Sequence, residues 1–334
     1  MSAFYVCKNN ETPFSSNTPY YKAIWRIRQI ITVFKPDIVH AHYATSYGLL
    51  GALSKFHPFI LSMWGSDIFR FPRKSFLHKA ILKHNFKKAD KLLSTSKTMA
   101  VEANKYTNKG ICITPFGVDT AMFKPMLETK EKLSNKVKLK YNNEDIVIGT
   151  IKAMEEKYGI AHLIKAFSII RKEHPGKPVK LLIVGDGSQL EKLKLLVKKL
   201  DIKDITQFTG FIKNEAVPIY HNLIDVPVYP STDDSESFGV SALEASACGK
   251  AVVASNVGGL SESEENGVTA ILVPPYDVEQ LAEAIEKLIL ETELRKNYGN
   301  NGRKRVQELY EWDMCVKQMM DIYEDIMEKK QNTA

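Results

Sequence analysis

Residues 236–245 of this chain read Glu236-Ser237-Phe238-Gly239-Val240-Ser241-Ala242-Leu243-Glu244-Ala245. The apolar run Val226–Tyr229 and a polar loop precede the stretch and good helix formers follow it, so the pattern predicts a strand, a loop and a helix. Phe238 and Gly239 would lie at the helix start, where free backbone N–H groups favour phosphate. Glu244, about one and a half turns along, can accept hydrogen bonds from a ribose diol, and Glu236 can reach the hydroxyls of an attached sugar. The stretch therefore predicts a site for a nucleotide-sugar.

Four further motifs accompany this one along the chain. They read Pro115-Phe116-Gly117-Val118-Asp119, Leu182-Ile183-Val184-Gly185-Asp186-Gly187, Val257-Gly258-Gly259, and Asn266-Gly267-Val268-Thr269 with Leu272-Val273-Pro274-Pro275. Together with the spacing of Glu236 and Glu244 they resemble the motifs of retaining glycosyltransferases of family 4, in the order of that family, from about His40 to the C-terminus. The resemblance implies an α/β chain of the GT-B fold, in which two Rossmann-like domains face each other across a cleft.

Alternating apolar strands and helices predict an α/β architecture from the residues themselves. The polar stretch Met126–Asp145 holds no long apolar run and is expected to belong to a connection between two domains. We expect an acceptor-side Rossmann-like domain over residues 1–125 and a nucleotide-sugar-binding domain over residues 126–311. The resemblance further implies that a helix over residues 312–334 returns to the first domain.

The start of the chain departs from the family pattern. Members of the family open with a β-strand and a Gly-rich loop beneath the donor phosphate, whereas Met1-Ser2-Ala3-Phe4-Tyr5-Val6 looks like the family's third strand or its edge. The first domain is therefore expected to be shortened. This departure keeps a second hypothesis open, an inactive GT-B scaffold that binds a nucleotide-sugar or a partner enzyme without turnover.

The resemblance assigns the donor site to the second half of the chain. Lys152 and Lys157, after the predicted strand that ends at Thr150, are expected to neutralise the diphosphate, whose charge grows as the glycosidic bond breaks. Glu236 would orient the sugar and stabilise positive charge at the anomeric carbon, which makes it the first catalytic candidate. Glu244 would anchor the ribose.

Two backbone segments complete the predicted donor site. Gly210-Phe211-Ile212 resembles the family's loop that holds the base by backbone hydrogen bonds and an apolar contact. Phe238, Gly239 and Val240 bring the helix terminus to the phosphates. Because lysines and this terminus would carry the phosphate charge, neither a metal nor another cofactor is expected, and Asp233-Asp234 lacks a second cluster of ligands.

Candidates for the acceptor side lie in the first half. His40 and His42 end a predicted strand, and His42 is the better candidate for binding the acceptor or assisting proton transfer, with a structural histidine as the alternative. The loop Trp64-Gly65-Ser66-Asp67 resembles a second acceptor-side loop of the family. Trp64 offers a sugar-stacking surface where many members have histidine, and Asp67 is a candidate hydroxyl ligand; a core tryptophan is the alternative.

Positive charge is concentrated in the first part of the chain, although the net charge is only +7. Residues 1–125 hold 18 Lys and Arg against 6 Asp and Glu, and the remaining residues hold 28 against 33. Residues 70–91, called the basic segment below, interleave cationic and large apolar side chains. They predict either a basic amphipathic helix on an anionic membrane surface or a packed helix with a solvated face. Nucleic acid is not an expected partner, because no nucleic-acid-binding motif accompanies the charge.

The remaining composition excludes several classes. Four widely spaced cysteines indicate neither a disulfide framework nor a zinc site and favour a reducing compartment. No run approaches about 20 apolar residues, and no signal-peptide pattern opens the chain. An NAD-dependent dehydrogenase is not favoured, since the run Val184–Leu190 lacks the third glycine of the dinucleotide fingerprint.

The sequence thus predicts a cytoplasmic glycosyltransferase, either soluble or peripheral on the inner face of the cell membrane. The resemblance implies transfer of a sugar from a nucleotide-sugar with retained configuration. It also makes a UDP-sugar the expected donor, with GDP-mannose next. The expected acceptor is a saccharide or a lipid-linked saccharide of surface polysaccharide synthesis.

Overall fold

The computed structural model of the chain describes residues 20–331, which form ten strands and fourteen α-helices. The strands are β1 (Val39–His42), β2 (Phe59–Met63), β3 (Lys91–Ser94), β4 (Ile111–Ile113), β5 (Ile146–Ile151), β6 (Val179–Val184), β7 (Thr206–Phe208), β8 (Val226–Tyr229), β9 (Val252–Ser255) and β10 (Ala270–Val273). The helices are α1 (Tyr20–Phe34), α2 (Ser46–Ser54), α3 (Ser66–Phe69), α4 (Phe76–Lys88), α5 (Lys97–Ala103), α6 (Lys130–Lys136), α7 (Ile160–Glu173), α8 (Leu190–Lys199), α9 (Val217–Leu223), α10 (Val240–Ala247), α11 (Leu260–Ser263), α12 (Val278–Leu290), α13 (Thr292–Leu309) and α14 (Trp312–Gln331). Within residues 20–331, no helix has both the length and the apolar composition that a bilayer crossing requires.

The chain divides into two compact units. Of the described residues, the first unit comprises 20–94, Ala100–Ile113 and 320–331, and the second comprises Thr95–Met99 and Thr114–Met319. The first unit contains a four-stranded parallel sheet in the order β1-β2-β3-β4, and the second contains a six-stranded parallel sheet in the order β10-β9-β8-β5-β6-β7. Both sheets are of the parallel α/β kind that alternating strands and helices predict.

This division of the chain differs from the expected boundaries at residues 125 and 312. The turn Pro115–Asp119 already belongs to the second unit, where the Val118 N–H donates to Tyr310 O at 2.7 Å and the Trp312 N–H donates to Val118 O at 3.1 Å. Helix α14 is divided after Met319. The expectation for Met1–Val6 lies outside the described residues.

The order of the six-stranded sheet reverses beside β5. The chain adds β6 and β7 on one side of β5, and then crosses to place β8, β9 and β10 on the other. In open parallel sheets, ligands bind outside the carboxyl ends of the strands at such a reversal. The loops after β5 and β8 are therefore the expected place for a site.

Helices cover both faces of this sheet because its strands are apolar on both sides. Along β6, Leu181 and Ile183 pack with α7, α8 and α12, whereas Leu182 and Val184 pack with α6 and α9. This alternation is the period of two that a strand imposes on its side chains. Strands buried on both faces hold the loops at their carboxyl ends in fixed positions.

The segment Met126–Asp145, which was expected to belong to a connection between two domains, is a packed part of the second unit. The segment contains helix α6, and its residues Leu133, Leu139 and Tyr141 are buried with Val147 of β5. Because polar residues separate these few apolar ones, the sequence pattern does not predict that the segment packs on the sheet. It belongs to the second unit and covers one face of the sheet.

The basic segment does not form one helix. A single 3-10 turn, Phe71–Arg73, precedes helix α4, which begins at Phe76. Leu82 and Phe86 are buried, as the packed-helix alternative predicts, but Phe76 and Leu77 are 86% and 65% exposed. The first turn of α4 therefore presents two large apolar side chains to solvent.

Glu264 is a fully buried carboxyl group that supports helix α10. Its Oε1 accepts a hydrogen bond from Ser246 Oγ at 2.9 Å, and its Oε2 accepts one from Thr269 Oγ1 at 2.8 Å. Burial raises the pKa of Glu264 to about 7, although these hydrogen bonds act in the opposite direction. The folded chain thus holds a proton that the unfolded chain releases at a lower pH, so the free energy of unfolding falls as pH rises between these two pKa values.

We expect Glu264→Gln to remove this pH dependence, because an amide stays neutral. At pH 8 the variant should exceed the wild type in free energy of unfolding by on the order of 3 kcal/mol, and near pH 4.5 the difference should nearly vanish. Urea unfolding of both proteins at both pH values measures this difference in free energy of unfolding. Glu293→Gln, which alters an exposed carboxylate paired with Lys296, is the matched control. A difference that does not depend on pH would contradict the prediction.

Candidate functional site

Polar side chains converge at the reversal of the six-stranded sheet. Lys152 directly follows β5, and Ser231 and Glu236 lie in the loop after β8. The Lys152 Nζ is 2.9 Å from Glu236 Oε2, and Ser231 Oγ donates a hydrogen bond to the same oxygen at 3.2 Å. The structure thus brings together two of the predicted site residues, a cation and a carboxylate, and both are largely buried.

Two glycines hold the backbone of Glu236 in place. The Gly259 N–H donates to Glu236 O at 2.7 Å. A Cβ atom at Gly258 would lie 2.2 Å from Glu236 O, and one at Gly259 would lie 2.2 Å from Ser237 O. Any side chain at either position would displace this loop. Glycine at 258 and 259 is therefore needed for the backbone to pack closely against the loop that carries Glu236.

The two predicted phosphate-binding lysines share an aromatic neighbour. The Nζ atoms of Lys152 and Lys157 lie 4.5 Å and 4.7 Å from the centroid of the Tyr158 ring, distances typical of cation–π contacts. The backbone O of Lys157 also accepts a hydrogen bond from the Thr232 N–H at 2.8 Å. The loop after β5 is thereby tied to the loop after β8, and both cations are held in one region.

Helix α10 begins beside the end of β5. Gly239 precedes its first residue, Val240, with a φ of 80°, a conformation that glycine adopts without strain. Ser241 Oγ donates to Ile151 O at 2.8 Å and so fixes the first turn of the helix to the strand end. The Phe238 side chain is buried in an apolar cluster, so only its backbone is available to a ligand.

A cavity of about 410 Å³ opens beside these groups in the second unit. Its lining consists of Met122, Phe123, Ile151, Lys152, Ala153, Val184, Gly185, Phe211, Ile212, Asn214, Val217, Ser241 and Glu244. The volume is within the range of small-molecule sites. Phe211 is 80% exposed, and the preceding Gly210 accepts a hydrogen bond from the Gly185 N–H at 3.1 Å. The predicted base loop and the predicted ribose ligand therefore border the same space.

His221 on α9 was not predicted from the sequence. It is fully buried, and its Nε2 lies 3.3 Å from Glu244 Oε2. A histidine within a short apolar stretch carries no sequence signal of this contact, which arises because α9 packs against α10.

The histidines predicted on the acceptor side lie in the first unit and differ in environment. His40 bonds Tyr323 Oη through Nδ1 and Ser62 Oγ through Nε2, both at 2.7 Å. Burial and the neighbouring His42 lower the pKa of His40 to about 3, so the ring is neutral at physiological pH. His42 is exposed, and its ring centroid lies 5.6 Å from that of the half-exposed Trp64. His42 and Trp64 thus form one accessible aromatic surface.

The hydroxyl-ligand hypothesis for Asp67 was wrong. The side chain is fully buried, and its carboxylate accepts hydrogen bonds from the backbone N–H groups of Ala44 at 2.7 Å, Gly65 at 2.8 Å and Trp64 at 3.1 Å. Burial raises the pKa of Asp67, and these N–H groups counteract it. Asp67 organises the loop that carries Trp64, and its oxygens are turned away from solvent.

One group of potential metal ligands occurs in the described part of the chain. Donor atoms of Glu173, His174 and Glu286 lie within 4.8 Å of one another. The group surrounds the end of α7, at the opposite terminus of that helix from Lys157. His174 Nε2 is paired with Glu286. The cluster is therefore separate from the cavity and its lysines.

Relatives in sequence include proteins of known and unknown activity. An uncharacterized glycosyltransferase of Methanocaldococcus jannaschii is 28% identical over 324 residues, which are 93% of this chain and 84% of that protein. A GDP-mannose-dependent alpha-(1-6)-phosphatidylinositol monomannoside mannosyltransferase of Mycobacterium tuberculosis is 30% identical over 212 residues, 62% of this chain and 54% of that protein. The chain thus spans about half the length of some curated relatives that it matches.

Comparison with solved structures identifies the fold. Anabaena HepE in complex with UDP-glucose superposes with a TM-score of 0.80 at 21% identity, over 92% of this chain and 84% of that one. This likeness confirms the predicted α/β, GT-B fold. Residues 3–96 match the sequence profile of Glycosyl transferase 4-like proteins, and residues 131–305, just over half of the chain, match that of Glycosyl transferases group 1. The chain belongs to the family Glycosyl transferases group 1.

Proposed function

We propose that the protein is a retaining glycosyltransferase that moves a sugar from a nucleotide-sugar, a UDP-sugar in the first place, to a saccharide or lipid-linked acceptor in surface polysaccharide synthesis. The observation that carries the proposal is the Lys152–Glu236 pair at the edge of a cavity that Glu244 also borders. The HepE complex with UDP-glucose supports a uridine nucleotide, and the mycobacterial mannosyltransferase supports GDP-mannose as the second candidate.

In the proposed mechanism, the two lysines, Glu236 and Glu244 each contact a different part of the donor. Lys152 and Lys157 neutralise the negative charge that develops on the diphosphate as the glycosidic bond breaks, with the N-terminus of α10 adding its positive end. Glu236 orients the sugar and stabilises positive charge at the anomeric carbon, while attack and departure occur on the same face. Glu244 accepts hydrogen bonds from the ribose hydroxyls. We propose no covalent glycosyl-enzyme.

The same groups support a reaction without a metal cofactor. Two ammonium groups near one aromatic ring, together with a helix terminus, supply positive charge where a metal ion would otherwise be needed. The cluster of Glu173, His174 and Glu286 lies at the other end of α7 and takes no part in this proposal.

A transfer screen tests the proposed function. Purified protein is given UDP-, GDP- and ADP-sugars with saccharide and lipid-linked acceptors, and nucleoside diphosphate release and the anomeric configuration of the product are measured. Retained configuration with one donor supports the proposal, and equal rates with and without EDTA support the metal-independent form. Nucleotide binding without release on any acceptor would favour the scaffold alternative, and an inverted product would exclude a retaining mechanism.

Glu244→Ala tests the ribose contact separately. The substitution removes a charge-assisted acceptor, so we expect nucleoside diphosphate affinity to fall by about 1.5–3 kcal/mol. Calorimetry with UDP and GDP measures the loss. Glu191→Ala, an exposed carboxylate on α8, is the control. Unchanged affinity in Glu244→Ala would show that the ribose lies elsewhere.

We also propose that the first turn of α4 binds an anionic membrane surface on the inner face of the cell membrane. Phe76 and Leu77 are exposed there, and Lys74, Lys79 and Lys83 are exposed around them. Apolar side chains can enter the lipid interface while lysines contact anionic headgroups. This arrangement suits an enzyme whose acceptor is carried on lipid.

Replacing both Phe76 and Leu77 with serine should lower binding to phosphatidylglycerol-containing vesicles by about tenfold or more, because two interfacial apolar contacts are lost. Vesicle flotation measures this binding, with vesicles of zwitterionic phosphatidylcholine, which carry no net charge, as the comparison. The double variant Leu127→Ser/Leu195→Ser is the matched control, because these leucines are at least as exposed but lie in the second unit. Equal flotation of the two double variants would contradict the proposed surface.

A further inference from the structure

His221 is a fully buried polar side chain directly behind the cavity. It lies on α9, and its Nε2 is 3.3 Å from Glu244 Oε2 on α10. Its ring packs edge-on against Phe123, with centroids 5.9 Å apart, and Phe123 itself lines the cavity. The ring thus contacts Glu244 from the protein interior, and the Glu244 side chain keeps 22% of its surface exposed.

The surroundings of His221 select one tautomer. A carboxylate accepts hydrogen bonds, so the proton on this side belongs on Nε2. The Nδ1 atom is buried and has no hydrogen-bond partner among residues 20–331. A proton on Nδ1 would be a buried, unpaired donor, which is unfavourable, so the tautomer with its proton on Nε2 is the form that fits. His221 therefore donates to Glu244 and holds one of its oxygens.

We infer that His221 is a positioning residue that fixes the carboxylate of Glu244 and thereby makes the site select ribonucleotide over 2′-deoxyribonucleotide donors. The inference rests on the proposed function, in which Glu244 accepts from the ribose. A glutamate that nothing holds has several rotamers, so its carboxylate can rotate towards solvent when the ligand lacks the 2′-hydroxyl. A carboxylate held by His221 cannot turn away, so a ligand without the hydroxyl leaves a fixed acceptor unpaired.

Calorimetry with UDP, GDP and their 2′-deoxy counterparts tests the inference on the full chain. The quantity compared is the ratio of dissociation constants, deoxyribonucleotide over ribonucleotide, which should be about tenfold or more in the wild type. His221→Asn places an amide near the position of Nδ1, short of Glu244, and should lower the ratio to about threefold or less. His221→Gln can place an amide N–H near the position of Nε2 and should preserve most of the ratio.

A change in packing alone would not separate these two variants by their sugar selectivity, because both replace the ring with an amide. A wild-type ratio above tenfold that persists in His221→Asn overturns the inference and leaves the proposed function standing. Wild-type protein that binds none of the four nucleotides overturns both. Equal affinity of the wild type for ribonucleotides and deoxyribonucleotides would contradict both the ribose role of Glu244 and the inference.

A measurement on the wild type covers the case in which His221→Asn does not fold. Nitrogen–proton correlation NMR of the histidine side chains reports which ring nitrogen carries the proton. We expect His221 to be protonated on Nε2 and its resonances to shift when UDP or GDP is added. A proton on Nδ1, or resonances indifferent to a bound nucleotide, would overturn the inference.

Discussion

Replacement of Glu236 with alanine is expected to lower the transfer rate by about 10³-fold while changing nucleoside diphosphate affinity by less than about threefold. Glu236 contacts Lys152 and Ser231, and its backbone is fixed by Gly259. In the proposed mechanism the carboxylate faces the anomeric centre, where positive charge develops only during reaction. Loss of such a group lowers kcat and leaves ground-state binding of the nucleotide nearly intact.

Two further variants separate charge from packing at this position. Glu236→Gln keeps the size and the acceptor for Ser231 but removes the negative charge, so we expect its rate to stay close to that of Glu236→Ala. Glu293→Ala alters an exposed carboxylate on α13 and should transfer at the wild-type rate. Transfer by Glu236→Ala within about tenfold of the wild type would mean that the site assignment is wrong.

Replacement of Lys152 with methionine is expected to lower kcat by about 10²-fold, because the diphosphate loses a cation that its growing charge requires. The substitution also leaves the Glu236 carboxylate largely buried without its ammonium partner. Lys152→Arg keeps the charge with a different geometry and should fall between the wild type and the methionine variant. Steady-state kinetics with the donor identified by the screen measures all three.

The contact between Lys152 and Glu236 makes a further outcome testable. Because Nζ and Oε2 are 2.9 Å apart, the effects of Lys152→Met and Glu236→Ala should not be additive in the double variant. Lys194→Met, which alters a surface lysine paired with Glu191, is the control and should combine additively with Glu236→Ala. Additive losses for Lys152 and Glu236 would show that the two side chains act independently in transfer.

The sequence alone determined the family, the fold class and most of the secondary structure. The apolar run Val226–Tyr229 forms β8 with the predicted bounds, and helix α10 begins directly after Gly239, as predicted. These elements are continuous apolar runs or strongly amphipathic segments, whose pattern depends on neighbours along the chain. Helices α2, α6 and α9 were not predicted, because they are short or interrupted by polar residues and are stabilised by packing on a sheet.

For the site, local motifs of the sequence predict Glu236, Glu244 and the two lysines, and their roles stay predictions. Only the tertiary structure shows that Lys152 pairs with Glu236 and that His221 contacts Glu244. It also shows that the Asp67 carboxylate accepts its hydrogen bonds from backbone N–H groups. Each of these relations joins segments that are apart in the chain or depends on burial. Such contacts are set by how helices and loops pack around the strand ends, and no periodicity of the sequence encodes them.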